Sequence, residues 1–427
     1  MRKTLTFAAA LLLTNSSYAG DCAPAWSDIL APGGATGDVR ALTFDPIQGG
    51  LIAAGAFKSI NGVDAAHIAR WDGAAWSTLG SGSNAQISAL AWYDDGNGPA
   101  LYAAGSFTTI GSAAANRIAR WNGVEWQALG TGLSNAGLAL CVHDDGNGPA
   151  LYVGGEFNTA GGVNARGIAR WNGATWTAVG GNIVPTGSAV TAIASHSGDL
   201  YIGGQFIGVA GVGANNIARW NGASWSPLAS GLDGVVRALA SWNGSLYAAG
   251  AFAASGATPL ARIARWDGAA WSPLDSGVAS AVSEARALAV MDDGDGESLY
   301  LGGAFISVGG VSANYVARWN GADWFPLGAG LDDAVLSLAV GEVNGAPTLA
   351  VGGAYSTAGA EPLPRLSAWV GCAESGNPAD LTGDGMVNAA DLSQLLGSWG
   401  TSNPATDFND DGTTNAADLG FLLGAWG

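Results

Sequence analysis

The sequence predicts an all-β chain built from repeated four-stranded units, and three observations support this prediction. An apolar run that ends in small residues, such as LYVGGEF at 151–157, occurs seven times. Glycine accounts for 68 of 427 residues and charged residues for only 12%, which is typical of strands and tight turns rather than of a disordered chain. IARWNGATW, or a close variant of it, follows six of the apolar runs, beginning at Ile68, Ile118, Ile168, Ile217, Ile263 and Val316.

Each repeat is about 50 residues long, a period that is typical of propellers and related arrays. In the third repeat we predict strands at GLALCV from Gly137, LYVGGEF from Leu151, IARW from Ile168 and TWTAVG from Thr175. Asn-Gly or Asp-Gly separates the last two strands in all six full copies, which predicts a hairpin with positive φ at both central residues. Four strands in each of seven units predict a seven-bladed β-propeller over residues 20–372.

The two ends of this repeat region complement each other. The segment APAWSDIL at 23–30 resembles the end of a repeat, whereas the last repeat stops after Trp369 without its second tryptophan. We therefore expect Trp26 and Trp369 to form the seventh tryptophan pair, with the N-terminal strand closing the ring. Cys22 and Cys372 flank the interrupted turn, and we predict a disulfide between them.

The first 19 residues predict a signal peptide, because Arg2 and Lys3 precede a short apolar run and small residues end at Ala19. The mature protein is then expected to be secreted, either extracellular or at the cell surface, with no transmembrane segment. The formal net charge is −18 and the basic residues form no cluster. This charge distribution argues against nucleic acid as a partner.

Residues that repeat in every unit are expected to build the blades, so the repeated Trp and Arg residues are interpreted as packing and ion-pair residues. Residues that vary between units are better candidates for binding a ligand, which we expect to be a carbohydrate or a protein. They cluster in the loops between the second and third strands, where function often lies. The candidate ligand-binding residues are Asp64, His67, Arg117, Arg166, Arg262 and Tyr315.

After a linker at 373–379, residues 380–427 contain two near-identical segments. Each opens with a 12-residue loop that carries oxygen ligands at the spacing preferred by calcium, with glycine at the sixth position, and then leads into a short helix. This predicts two Ca²⁺ ions. The expected ligands in the first loop are Asp380, Thr382, Asp384, the Met386 carbonyl, Asn388 through water, and Asp391. In the second loop they are Asp407, Asn409, Asp411, the Thr413 carbonyl, Asn415 and Asp418.

Two family resemblances follow from these motifs. The Gly-Gly strand followed by tryptophan resembles kelch and galactose-oxidase propellers, and the LYVGG and IARWNG pair is similar to bacterial repeats related to the propellers of cortical cell-polarity markers. The paired calcium loops, each ending in Asp and lacking a preceding helix, resemble a type I dockerin. That resemblance implies attachment to a cohesin-like partner. Ala389-Ala390 and Ala416-Ala417 replace the pair that reads cohesin in that family, so another surface-attachment protein is the alternative.

No motif in the sequence identifies catalytic residues. The three histidines are dispersed, and the carboxylates in the inter-blade loops, namely Asp233, Glu284, Asp332 and Asp333, are the only candidates for paired acid and base groups. We therefore predict a secreted, non-catalytic binding or scaffold protein. The alternative is an extracellular carbohydrate-active enzyme of the glycoside hydrolase or polysaccharide-degrading type on the same scaffold.

Overall fold

A computed structural model describes residues 24–30, 33–279, 283–294, 296–371, 379, 381, 387, 389–409, 411–424 and 426. The chain divides into two compact units. One unit is Pro24–Gly371, and the other includes Cys372–Gly427. The first unit is built from strands and the second contains two helices.

Seven four-stranded antiparallel sheets make up the first unit, and we number them 1 to 7 from the residue order of their first strands. The first strands are Val39–Phe44, Ile87–Asp94, Gly137–Asp144, Ala189–His196, Val236–Trp242, Glu284–Asp292 and Val335–Val343. The second strands are Leu51–Gly55, Pro99–Gly105, Pro149–Gly155, Asp199–Gln205, Ser245–Gly250, Glu297–Ala304 and Ala346–Gly353. The third strands are Ile68–Trp71, Ile118–Trp121, Ile168–Trp171, Ile217–Trp220, Ile263–Trp266, Val316–Trp319 and Leu366–Val370. The fourth strands are Trp76–Thr78, Trp126–Ala128, Trp176–Ala178, Trp225–Pro227, Trp271–Pro273, Trp324–Pro326 and Ala25–Ser27.

Sheet 7 joins the two ends of the unit. Its fourth strand, Ala25–Ser27, pairs antiparallel with Leu366–Val370 and places Trp26 opposite Trp369. In sheet 1 the same register places Trp71 opposite Trp76. The expected joining of the N-terminal and C-terminal strands in one sheet is confirmed.

The seven sheets follow one another like the blades of a propeller. The first strand of each sheet contacts the first strand of the next, and the first strand of sheet 7 contacts that of sheet 1. Each apolar cluster therefore spans two neighbouring sheets, as where Ile52 and Ile68 of sheet 1 pack with Leu101 and Phe107 of sheet 2. The core is a series of interfaces between sheets, which explains why single repeats are apolar on both faces.

The paired tryptophans belong to these interfaces. In sheet 3, the rings of Trp171 and Trp176 have centroids 5.2 Å apart, and both residues are more than 90% buried. The indole Nε1 of Trp176 donates to the carbonyl of Leu129, which follows the fourth strand of sheet 2, at 3.0 Å. The equivalent bond links Trp126 to Leu79 at 3.0 Å. The interpretation of the repeated tryptophans as packing residues is confirmed, and each second tryptophan lies against the preceding sheet.

The turn between the third and fourth strands differs from the one expected. In sheet 1 the loop contains four residues, because Trp71 pairs with Trp76 and the Asp72 amide donates to the Ala75 carbonyl. The Asp72 carboxylate accepts the amides of Ala74 and Ala75 at 2.9 and 2.8 Å, and only Gly73 has positive φ. The hairpin prediction is correct, but the prediction of positive φ at both residues is wrong, because Asp or Asn acts here by accepting backbone hydrogen bonds.

Short hairpins that the sequence analysis did not predict lie between the second and third strands. In sheet 3 the strands are Thr159–Ala160 and Val163–Asn164, and comparable pairs occur in sheets 1, 2, 4, 5 and 6. Isolated bridges such as Leu133 to Ala160 connect each hairpin to the segment that leads into the first strand of the same sheet. The hairpins and the segments that enter the first strands therefore share one face of the unit.

The C-terminal unit contains helix α1, Ala389–Gly397, and helix α2, Ala416–Gly424, as the sequence predicted. Ala379, Val387, Leu395 and Leu422 form its small buried core, with Phe408 packed against it. None of the helices in the described residues is long and apolar enough to cross a membrane.

Candidate functional sites

All seven first strands line one central cavity of about 230 Å³, which we call the channel, with residues that include Leu42, Leu90 and Leu239. A second cavity of about 360 Å³ lies at the starts of those strands. We call this second cavity the channel mouth.

Every first strand carries a β-bulge near its start, and the residue in the bulge lines the channel mouth. In sheet 5, for example, Val236 pairs with Gly250 and Ala238 with Ala249, so Arg237 is left without a partner in the register. Bulges re-aim side chains in this way. The same shift in the other six sheets gives a set of seven residues, which we call the mouth ring: Arg40, Ser88, Leu138, Thr191, Arg237, Arg286 and Leu336.

Glycine at the end of each second strand allows the backbone to approach the bulge closely. A Cβ atom on Gly250 would overlap the carbonyl oxygen of Val235, and one on Gly303 would overlap that of Glu284. The bulges are therefore built by a repeated residue, whereas the side chains that they display vary from sheet to sheet. That variation is expected at a recognition site, because the fold does not require it.

Three arginines of the mouth ring are held by two carboxylates. The Glu284 carboxylate binds Nε of Arg237 at 2.5 Å and NH2 of Arg286 at 2.7 Å, so it bridges two sheets. NH2 of Arg40 lies 2.9 Å from the Asp38 carboxylate. Three guanidinium groups against two carboxylates leave one positive charge in excess. The Arg237 side chain is 42% exposed and the Glu284 side chain only 14% exposed. The guanidinium group of Arg237 is therefore more accessible to a ligand than the Glu284 carboxylate.

The sequence-predicted ligand residues lie in the loops between the second and third strands, on the same face as the channel mouth. Asp64 is exposed, and His67, Arg117, Arg166, Arg262 and Tyr315 are half-buried. The structure gives His67, Arg117, Arg262 and Tyr315 positive φ at equivalent positions, and the Arg117 amide donates to the Phe107 carbonyl at 2.7 Å.

Two of those arginine side chains contact backbone carbonyls near the start of the next sheet. NH1 of Arg117 donates to the Leu133 carbonyl at 3.0 Å, and Nε of Arg262 donates to the Ser283 carbonyl at 2.9 Å. Arg166 differs, because Gly167 occupies the positive-φ position in its loop and the Arg166 amide donates to Asn182. None of the six predicted residues lines the channel mouth cavity.

The mouth ring was not predicted, although the sequence contains a signal for it. The seven first strands contain the segments VRAL, ISAL, GLAL, VTAI, VRAL, ARAL and VLSL within their first five residues, and only the second position of these segments mixes charged, polar and apolar residues. In a regular strand the side chain at that second position would point away from the side its buried neighbours face. The β-bulge turns this side chain into the channel, and the bulge forms only through pairing with the second strand.

Five of the six repeated arginines pair with carboxylates at the opposite ends of the strands, as expected, whereas Nε of Arg265 donates to the Ser245 hydroxyl at 2.9 Å. The buried Asp293 carboxylate accepts from NH1 of Arg318 at 2.9 Å and from the Tyr300 hydroxyl at 2.6 Å. The other pairs are Arg70 with Asp45, Arg120 with Asp95, Arg170 with Asp145, and Arg219 with Asp199. These arginines support the sheets and lie away from the channel mouth.

The carboxylates proposed as a catalytic pair are held by other groups. Asp233 accepts the amides of Ala253 and Ala254 at 2.7 and 2.9 Å. Burial alone would raise the pKa of Asp332, but hydrogen bonds from Ser356 and Thr357 outweigh it and lower that pKa. A general acid in glycoside hydrolysis needs a raised pKa instead.

The three histidines are separated in the fold. Nδ1 of His143 lies 2.9 Å from the Ser195 hydroxyl, and Nδ1 of His196 lies 2.8 Å from the Ser241 hydroxyl, so each links one sheet to the next. Burial lowers the pKa of His67, His143 and His196.

These lowered pKa values predict that acidification destabilises the strand-built unit. Below about pH 6.5 the unfolded chain binds protons on its histidines before the folded chain does, so the free energy of unfolding decreases as pH falls. Above that pH the contribution is fully present. We expect a lower urea midpoint at pH 5.5 than at pH 7.5. Replacing His67, His143 and His196 together by Gln should reduce this difference, and an unchanged difference would contradict the assignment.

Cys141 lies in the first strand of sheet 3 as a free thiol, and burial raises its pKa to about 11. A thiol with a raised pKa is a poor nucleophile at neutral pH. Cys22 and Cys372, the predicted disulfide, lie outside the described residues. The part of the chain that the structure describes contains no disulfide.

Hydrogen bonds connect the predicted ligand residues of the second calcium loop to one another. Nδ2 of Asn415 lies 3.0 Å from the Asp411 carboxylate and 2.8 Å from the Thr413 carbonyl, and Nδ2 of Asn409 lies 3.0 Å from the same carboxylate. Asp407 accepts the Gly412 amide at 2.8 Å. The donor set of carboxylates, amides and a carbonyl suits a hard cation such as Ca²⁺.

Two further features of the second loop bear on whether its residues suit a Ca²⁺ ion. Hydrogen bonds from Asn415 and Asn409 lower the pKa of Asp411, which favours the ionised form that a ligand requires. The buried Asp418 carboxylate accepts the amides of Phe408 and Asn415 at 2.6 and 2.8 Å, which fastens the loop to the start of α2. Within the described residues, no group of three or more His, Cys, Asp or Glu side chains is arranged to hold a metal, so a cation in this loop would also need amide and carbonyl oxygens as ligands.

The first predicted loop lies mostly outside the described residues, which include only Asp391 of its six ligands. Asp391 is fully buried at the start of α1, as Asp418 is at the start of α2. The two loops therefore end in the same way.

Both helices of the C-terminal unit leave apolar side chains exposed at equivalent positions. Leu396 and Trp399 are 51% and 45% exposed, and Leu423 and Trp426 are 52% and 45% exposed. Phe421 adds a further exposed ring. Exposed apolar groups of this kind often mark interaction surfaces.

The chain matches no protein-family model. A comparison with curated proteins also finds no match. The seven four-stranded sheets of about 50 residues each, with their paired tryptophans, are consistent with propeller blades.

Proposed function

We propose that this protein is an extracellular, non-catalytic binding protein. In this proposal a seven-bladed propeller binds its ligand at the channel mouth, and a dockerin-like unit with two Ca²⁺ ions attaches it to a surface or to a cohesin-like partner. The observation that carries the proposal is the mouth ring. All seven sheets share one bulge at one position, yet the displayed side chain differs between Arg, Leu, Ser and Thr.

The contacts between sheets support a closed propeller. First strands contact their neighbours in a complete circuit, and the strand at Ala25–Ser27 fills the fourth place in sheet 7. A closed ring gives its channel mouth a fixed shape, because every first strand is held on both sides. Sites on rigid elements hold their side chains more accurately than sites on loops.

The chemistry of the channel mouth favours binding over catalysis. Glu284 is held by two arginines, and the carboxylates of Asp233 and Asp332 accept backbone amides. The cavity of about 360 Å³ lies within the usual range for small-molecule sites. An extracellular carbohydrate-active enzyme remains the alternative, and turnover of a bound saccharide would identify it.

The C-terminal unit supports the attachment role. Asn415 of the second loop bonds to the Asp411 carboxylate and the Thr413 carbonyl, two of the oxygen groups that Ca²⁺ would use, and exposed leucine and tryptophan side chains recur at and just after the ends of both helices. Tryptophan anchors are common at the centres of protein interfaces. Trp399 and Trp426 are therefore the proposed contacts to the attachment partner.

A ligand screen with a blocked channel mouth tests the binding role. Full-length protein in calcium is applied to arrays of glycans and of extracellular proteins, together with the variant Ser88→Trp. Because the indole fills part of the channel mouth, we expect Ser88→Trp to lose binding by at least about tenfold, the effect of roughly 1.4 kcal/mol.

The matched control is Ser77→Trp, the same substitution on the exposed fourth strand of sheet 1. It should bind as the wild type does. If Ser88→Trp retains the wild-type affinity for every array ligand while its urea midpoint is unchanged, the ligand binds elsewhere.

A further inference from the structure

The three arginines of the mouth ring form one arc. Arg237 and Arg286 come from the neighbouring sheets 5 and 6, Leu336 follows in sheet 7, and Arg40 comes from sheet 1. On the other side of Arg40, sheet 2 contributes Gln86 and Ser88. The channel mouth therefore has a cationic arc that continues into amide and hydroxyl groups.

The cationic arc is unusual in this chain. The whole sequence has a formal net charge of −18 and only 16 basic residues. Three of them converge on one cavity, where Asp38 and Glu284 neutralise two of the three charges. Salt screens distant charges beyond about 10 Å at 0.1 M, so a small ligand at the channel mouth experiences mainly this local excess of one positive charge.

The arginines are oriented before any ligand arrives. Glu284 binds Nε of Arg237 with one oxygen and NH2 of Arg286 with the other, which restricts both side chains. Nε of Arg286 is buried and has no hydrogen-bond partner among the described residues. A guanidinium group presents several N–H donors in a fixed plane that matches a carboxylate. Arg237 and Arg286 together have more N–H donors than the Glu284 carboxylate can accept.

We infer that the channel mouth binds a small sugar acid, with its single carboxylate on Arg40, Arg237 and Arg286 and its hydroxyl groups towards Gln86 and Ser88. One carboxylate balances the one excess positive charge. The polar groups of sheet 2 supply donors and acceptors for hydroxyls, and the cavity of about 360 Å³ has room for a saccharide unit. This inference rests on the proposed binding function and specifies the ligand class.

The test compares a charged probe with its neutral counterpart. Glucuronate and its methyl ester are titrated into the full-length protein in calcium, and binding is followed by ligand-observed NMR. We expect the wild type to bind glucuronate with a millimolar or lower Kd and the ester at least about tenfold more weakly, because a charge-assisted hydrogen bond is lost.

Two substitutions with opposite expected effects on glucuronate affinity make the test more specific. Arg237→Gln removes the excess charge and should weaken glucuronate binding by about tenfold or more. Glu284→Gln removes the competing carboxylate and should strengthen it. The matched control is Arg219→Gln, whose side chain is 45% exposed and also bound to a carboxylate, but at the opposite ends of the strands. It changes the net charge equally and should leave binding unchanged.

Several outcomes would overturn the inference. These are no glucuronate binding to the wild type at about 10 mM, equal weakening in Arg219→Gln and Arg237→Gln, or equal affinity for the acid and the ester. If acid and ester bind equally and Ser88→Trp abolishes both, the channel mouth remains the binding site and only the sugar-acid inference fails. If Ser88→Trp changes nothing, the proposed function itself fails.

Discussion

Trp176→Ala is expected to lower the free energy of unfolding by about 3–5 kcal/mol, the usual cost of removing a buried tryptophan. Trp176 is 6% exposed, packs against Trp171 and donates from Nε1 to the Leu129 carbonyl of the preceding sheet. Its removal leaves a cavity at an interface between two sheets, and the Leu129 carbonyl keeps only its bond from the Gly132 amide. Urea unfolding followed by circular dichroism measures the change.

Two milder substitutions separate packing from the hydrogen bond. Trp271 occupies the equivalent position in sheet 5 and is 5% exposed, but its Nε1 has no hydrogen-bond partner among the described residues. Trp176→Phe should therefore cost about 0.5–1.5 kcal/mol more than Trp271→Phe, because only the former loses a hydrogen bond. Equal costs would show that the bond between Trp176 and Leu129 contributes nothing to stability.

Calcium is expected to stabilise the C-terminal unit, with two ions bound per chain. At a free concentration 100 times the Kd, binding to one site of the folded state adds about 2.7 kcal/mol to the free energy of unfolding. Asp411→Ala removes the carboxylate on which Asn409 and Asn415 converge. Isothermal titration calorimetry should then show one ion per chain instead of two.

Asp72→Ala is the matched control for this variant. Asp72, like Asp411, accepts hydrogen bonds within a turn that lower its pKa, but it belongs to sheet 1. Its stoichiometry should remain two. If the wild type takes up no Ca²⁺ at about 1 mM, a concentration suited to extracellular modules, then the assignment of the loops is wrong.

Repetition made most of the fold predictable. A tryptophan pair that recurs six times marks the last two strands of each repeat, although the expected two-residue turn did not give the register that places Trp71 opposite Trp76. The seventh pair followed from the same comparison, because Trp26 and Trp369 each lacked a partner nearby. Local pattern and long-range pairing agree here, as expected of a sequence that specifies one structure.

The channel mouth was less predictable, because its geometry arises between strands. The period of two along VRAL does not show that Arg237 enters the channel, since the bulge forms only when Val236 pairs with Gly250. The positive φ at Arg117 and Tyr315 was equally hidden, because neither residue type favours it. Variation between repeats pointed to the same face as the mouth ring but selected the loops above the channel rather than the residues at its mouth.

The strand at Ala25–Ser27 has a consequence for how the chain folds. Nε1 of Trp26 donates to the Leu327 carbonyl, 301 residues later in the chain. One of the first strands to be synthesised therefore pairs only after the last strands are available. Until then sheet 7 offers an open edge at Leu366–Val370, to which a strand from another molecule can pair. Contacts this distant in sequence form slowly. Self-association during refolding should therefore depend on chain concentration, and it should increase in a chain that begins after residue 30.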